Sequence, residues 1–157
     1  MSPLLRTRLL ILLVLGGVTI IIWVIPLVSY PTTCKCLKVN FLDVGQGDSI
    51  LIETPDNFEM LIDGGRDSSV LRELSREMNI FDREIDVVVA THPDSDHIGG
   101  LVDVIERYKV KNILLTENEH DTPTATTFTS VVADENAKLM YADAGQQFLL
   151  GLGQAAD

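Results

Sequence analysis

Four side chains able to ligate a metal fall within six residues: His92, Asp94, Asp96 and His97, in the run THPDSDHIGG. Carboxylates and imidazoles are the groups that hold zinc, manganese or iron in hydrolytic sites. Pro93 stiffens the run, and Gly99 and Gly100 follow it. Two blander readings explain less. Asp96 alone could cap a following helix, but a cap does not require two histidines as well. Asp94, Asp96 and Gly99 match the first, third and sixth positions of a calcium loop. That loop fails at its fifth position, Ile98, and at its twelfth, Ile105, where a bidentate glutamate is needed.

Such a cluster needs a rigid frame on both sides. Ile85 and Val87–Ala90 form a short apolar run, which predicts a buried strand ending at Thr91. An apolar helical pattern begins at Leu101 and continues through Val102, Val104, Ile105 and Tyr108. The four ligands are therefore expected in a loop between a strand and a helix. Upstream, residues 37–44 and 48–54 read as a hairpin around the turn Gly45-Gln46-Gly47. The two glycines do not form a dinucleotide fingerprint, because Ile50 follows where a third glycine would stand. Residues 58–62 predict a third strand ending in Asp63-Gly64-Gly65. Ser68 or Ser69 is expected to cap a helix to about Asn79, with Val70, Leu71, Leu74 and Met78 on one face. Residues 110–116 predict a strand, and residues 117–123 a polar loop carrying His120. A helix is expected over 124–135, although its many threonines weaken it. Residues 138–143 and 147–150 predict strands of a second sheet.

The N-terminus has a different character. Residues 9–28 carry no charge and would cross a hydrocarbon core of about 30 Å as a helix. Arg6 and Arg8 precede this run, and Trp23 and Tyr30 stand where an interfacial aromatic belt would lie. Pro26 is a place where the helix could stop early. A cleaved signal peptide would have a shorter apolar core and a small-x-small site, which is absent before Tyr30. The expected organisation is a transmembrane anchor over 1–30, a linker over 31–36 and one domain over 37–157. The arginines would then stay in the cytoplasm, and the domain would lie outside. Cys34 and Cys36 are the only cysteines. Two residues apart, they suit a relaxed disulfide poorly and read as incidental thiols. The net charge is −11, and residues 1–36 hold three bases and no acid, so the remainder carries −11 − 3 = −14. So acidic a surface argues against nonspecific nucleic-acid binding through a basic face.

The run His92-x-Asp94-x-Asp96-His97 after an apolar strand resembles the H-x-H-x-D-H signature of the metallo-β-lactamase superfamily, with Asp94 in place of the second histidine. With FLDVGQGDS and LIDGG upstream, the chain is similar to the hydrolase domain of ComEC-type competence proteins, which act in DNA uptake. The resemblance covers roughly residues 37–152. It implies an α/β fold, the N-terminal half of an αββα sandwich, here preceded by one transmembrane helix. It implies His92, Asp94, Asp96 and His97 as metal ligands, with Asp96 and His97 catalytic. Asp63 would orient a ligand without touching the metal, and Asp48 and Ser49 would lie near it. The complete fold would hold two divalent ions, zinc or manganese, and this chain one or none. The family's second half-repeat supplies a further His, a bridging Asp and a last His, which would lie beyond Asp157. The chain is thus expected to be C-terminally incomplete. A carboxylate at 94 is a harder ligand than imidazole and shifts preference from zinc towards manganese or magnesium. The expected activity is metal-assisted hydrolysis of a phosphodiester, with nucleic acid as substrate. A small ester, lactone or thioester, and an inactive remnant acting as a binding module, are the alternatives.

Overall fold

The computed structural model describes residues 3–28, 36–79, 81–117 and 121–150, in two units, residues 1–34 and 35–157. The first unit holds one helix, α1 (Pro3–Val28), which continues past Pro26. Its stretch Leu5–Trp23 is long and apolar enough to cross a membrane. The hydroxyls of Thr7 and Thr19 donate to the carbonyls of Pro3 and Leu15 one turn back, so both are satisfied within the helix. Cys36 is disulfide-bonded, which corrects the expectation of incidental thiols; its partner lies outside the described residues.

The second unit is a six-stranded sheet in sequential order with three helices. Strands β1 (Lys38–Phe41), β2 (Ile50–Glu53) and β3 (Glu59–Ile62) run antiparallel. From β3 onward the pairing is parallel, through β4 (Glu84–Ala90), β5 (Lys109–Leu115) and β6 (Lys138–Tyr141). Each parallel step needs a long crossover. Helices α2 (Ser69–Glu77), α3 (Ser95–Arg107) and α4 (Pro123–Asp134) supply them. Leu74 of α2, Leu101 of α3 and Phe128 of α4 pack in one buried cluster with Leu51, Leu61, Val88 and Ile113 of the sheet. The other sheet face carries a separate cluster around Met60, Val87 and Leu114.

Four sequence expectations are corrected. The hairpin loop is Leu42–Ser49 rather than three residues, because Phe41 pairs with Ile50 and the chain between them packs elsewhere. Ser68 occupies the N-cap of α2 without a side-chain cap; the Asp67 carboxylate accepts from Ser69 N instead, at 2.9 Å, and that bond lowers its pKa. β6 does not belong to a second sheet: α4 returns the chain alongside β5, and residues 147–150 form no strand. Helix α3 starts at Ser95, well before Leu101, so Asp96 and His97 lie in its first turn and Asp94 is its N-cap. The threonine-rich α4 forms nonetheless. Thr122 caps it by accepting from Ala125 N at 3.1 Å, and Pro123 opens its first turn.

Candidate metal centre

The centre sits where β3 and β4 end side by side, with Ile62 level with Val89. The chain leaves β3 through Asp63, whose φ of +55° is left-handed, a conformation that costs a non-glycine residue roughly 1–2 kcal/mol. Several bonds hold it there. Asp63 N donates to Val89 O at 2.9 Å, and the buried Ser49 hydroxyl donates to Asp63 O at 2.9 Å. The carboxylate is buried and has three donors. Thr91 N donates to Oδ1 at 2.9 Å, the Thr91 hydroxyl donates to Oδ2 at 2.6 Å, and His97 Nδ1 lies 2.8 Å from Oδ2.

These bonds fix both imidazoles. The Thr91 hydroxyl has one proton and gives it to Asp63. Its contact with His92 Nδ1, at 2.9 Å, therefore requires His92 Nδ1 to donate. His97 Nδ1 likewise donates to the Asp63 carboxylate. With Nδ1 as the donor, the neutral form of each ring carries its lone pair on Nε2, which is the ligating form. The ring centroids lie 3.7 Å apart, tilted by 47°. Ligand atoms of Asp63, His92 and His97 all fall within 4.8 Å of one another. This donor set, two imidazoles beside a carboxylate, fits a divalent cation.

The other predicted residues are placed as follows. Asp94 Oδ2 lies 3.6 Å from His92 Nε2, while the Asp94 carbonyl accepts from His97 N and Ile98 N to begin α3. Asp96 is half-buried in the first turn of α3, where a negative charge is favoured by the helix dipole, and lies outside the Asp63–His92–His97 group. Asp48 is exposed, and its carbonyl accepts from Gly65 N at 3.0 Å. Ser49 acts on the Asp63 carbonyl rather than on the histidines. His120 lies outside the described residues.

Two glycines let neighbouring segments approach α3: Gly47 for the 42–49 loop and Gly100 for residues 64–67. Gly47 has φ +96°, and a Cβ there would collide with the Asp96 carbonyl. A Cβ on Gly100 would strike the carbonyls of Gly64 and Asp67. Gly64 N also donates to His97 O at 2.7 Å, tying the segment after β3 to the first turn of α3. Thr91 is the residue that sequence reasoning missed as a functional candidate. Its only signal was its position, the first polar residue after the β4 run and directly before His92.

Comparison with known proteins agrees with this architecture. The "ComE operon protein 3" of Bacillus subtilis (strain 168) is 29% identical over an alignment covering 66% of this chain and 16% of that protein. The chain thus spans about a sixth of the length of that relative. The model of the metallo-beta-lactamase superfamily matches residues 42–143, from the loop after β1 to just beyond β6. A match over that share of the chain, on a mixed α/β fold consistent with half of the family's sandwich, places the chain in the metallo-beta-lactamase superfamily.

Proposed function

We propose that this chain is a membrane-anchored, metal-dependent hydrolase acting on phosphodiesters, with nucleic acid as its substrate. The observation that carries the reading is the pair of imidazoles engaged through Nδ1 by Thr91 and Asp63, which turns Nε2 of each ring over to ligation. His92 and His97 would hold a divalent cation through those nitrogens, with Asp94 beside His92 and Asp96 on the same helix turn. When bound, such a cation supplies Lewis acidity and a nucleophilic water at neutral pH. The chain's own part is positional. Asp63 keeps the His97 proton on Nδ1, and Thr91 does the same for His92, so neither ring must reorganise to ligate. Ser49, the Gly64–His97 bond and the close approach at Gly100 hold the two segments in register.

The phosphodiester is favoured by the hard Asp94 ligand and by the relation to the ComE operon protein. Residues 9–28 form the anchor, and Arg6 and Arg8 keep the N-terminus cytoplasmic by the positive-inside rule, which leaves the domain outside the cell. The full chain in detergent micelles, loaded with manganese or zinc, is expected to cleave bis(p-nitrophenyl) phosphate, and the His92→Ala/His97→Ala variant is not. Equal cleavage by both proteins would contradict the reading. A second reading, hydrolysis of a small ester, lactone or thioester, is favoured by a cavity beside His92 that no Lys or Arg lines among the described residues. Lactone turnover without phosphodiester turnover would select it.

A further inference from the structure

A cavity of about 560 Å³ opens beside His92, between the ends of β4 and β5 and helix α4. That volume is within the roughly 300–1,000 Å³ that holds a drug-sized ligand. Ala90, Ile98 and Phe128 form a buried apolar lining with the half-buried Leu115. The polar side chains, apart from His92, are Thr116, Thr126, Thr129 and Asp121.

The threonines are already committed as donors. Thr116 Oγ1 donates to Thr91 O at 2.9 Å, Thr126 Oγ1 to Thr122 O at 3.1 Å and Thr129 Oγ1 to Ala125 O at 2.9 Å. With each hydroxyl proton directed at a backbone carbonyl, an oxygen that meets a ligand in the cavity does so through its lone pairs. Asp121 is also an acceptor, and no Lys or Arg lines the space among the described residues. An anion entering it would lose hydration and meet acceptors alone. A flat, uncharged group rich in N–H donors would meet apolar walls and matching oxygens.

We propose that this cavity seats a nucleobase of the substrate, its N–H edge facing the threonine and Asp121 oxygens, while the neighbouring phosphodiester lies at the metal centre beyond His92. The choice of a nucleobase rests on the phosphodiesterase reading; the exclusion of anions from the cavity does not. His92 belongs to both the cavity and the metal group, so a base bound here would place the adjoining phosphate beside the ligands.

The test uses isotopically labelled full chain in detergent micelles, with EDTA present so that no metal step contributes. Adenosine is expected to shift the amide signals of Thr116 and of residues 125–129 saturably, whereas inorganic phosphate and deoxyribose 5-phosphate leave them unmoved. Thr126→Trp, an exposed position at the rim of α4, should weaken adenosine binding at least tenfold. Thr129→Val, which keeps the volume and removes one acceptor, should weaken it several-fold. Phosphate shifting these amides, no response to adenosine, or unchanged binding by a Thr129→Val variant with wild-type circular dichroism would overturn the proposal. So would an N-acyl lactone that binds here when adenosine does not. Because metal is absent, these outcomes are independent of whether the loaded protein hydrolyses phosphodiesters.

Discussion

Strand β3 has a buried carboxylate at each end, and the two are treated very differently. At the end beside α3, Asp63 is 3% exposed and surrounded by three donors. At the other end, Glu59 is 6% exposed, and its Oε2 has no hydrogen-bond partner. Burial pushes the Glu59 pKa up to about 8, and the neighbouring Asp82, Glu53 and Asp86 push the same way against Lys38. The nearby bases are taken: Lys38 pairs with Glu53 at 3.0 Å, and Lys111 with Asp86 at 2.7 Å. A buried carboxylate can be a built acceptor or an uncompensated cost, and the donors around it decide which. At one end of β3 the buried carboxylate is fully supplied with donors, and at the other it is not.

The strongest way to break this contrast is to empty the organised end. Asp63→Ala leaves Thr91 N and both Thr91 and His97 side chains without their acceptor. Stability is expected to fall by roughly 2–3 kcal/mol in urea titration. Metal affinity should fall about 10–100-fold in a chelator competition, because His97 loses its fixed tautomer. Asp63→Asn should recover part of the stability but not the affinity. An affinity unchanged in both variants would mean that the carboxylate does not orient His97.

Thr91→Val removes one hydroxyl while keeping the shape. It frees His92 Nδ1 and takes one donor from Asp63, so a loss of about 1 kcal/mol is expected with a weaker fall in metal affinity than for Asp63→Ala. Thr91→Ser should restore both. If Thr91→Val binds metal as the parent does, the hydroxyl is structural only.

The smallest effect is expected at the other end. Glu59 binds a proton in the folded chain at pH values where an unfolded glutamate has released it. Its contribution to stability is therefore fully present below about pH 4.5, is lost as pH rises, and is gone above about pH 8. Glu59→Gln should flatten that part of the profile and unfold at a higher temperature than the parent at pH 9, with little difference at pH 5. Parallel melting profiles for the two proteins would show that Glu59 is compensated by groups not seen here.

How much of this was legible in the sequence varies by residue. The apolar run Val87–Ala90 and the alternation at Val70, Leu74 and Met78 are local patterns, and they led to β4 and α2. The pair Gly99-Gly100 misled, because glycines usually mark a helix boundary. Here they sit inside α3 so that its first turns can touch the carbonyls of residues 64–67. That contact is between segments over thirty positions apart, and no local pattern encodes it. The pairing of β6 with β5 is non-local in the same sense. Thr91 was invisible as a hub for another reason: a single threonine after a strand has no signature until Asp63, twenty-eight positions earlier, is placed beside it. The candidate ligand types could be picked out because their spacing is short. The hydrogen bonds at their Nδ1 atoms could not, because those depend on Thr91 and on Asp63 just after β3.

The central claim is that His92 and His97, held by Thr91 and Asp63, form a cation site. The most direct test is metal content by mass spectrometry on the purified full chain beside its His92→Ala/His97→Ala variant. Stoichiometric manganese or zinc in the parent, lost in the variant, is the result expected. A parent that is folded by circular dichroism and carries no metal above the variant's background would contradict it.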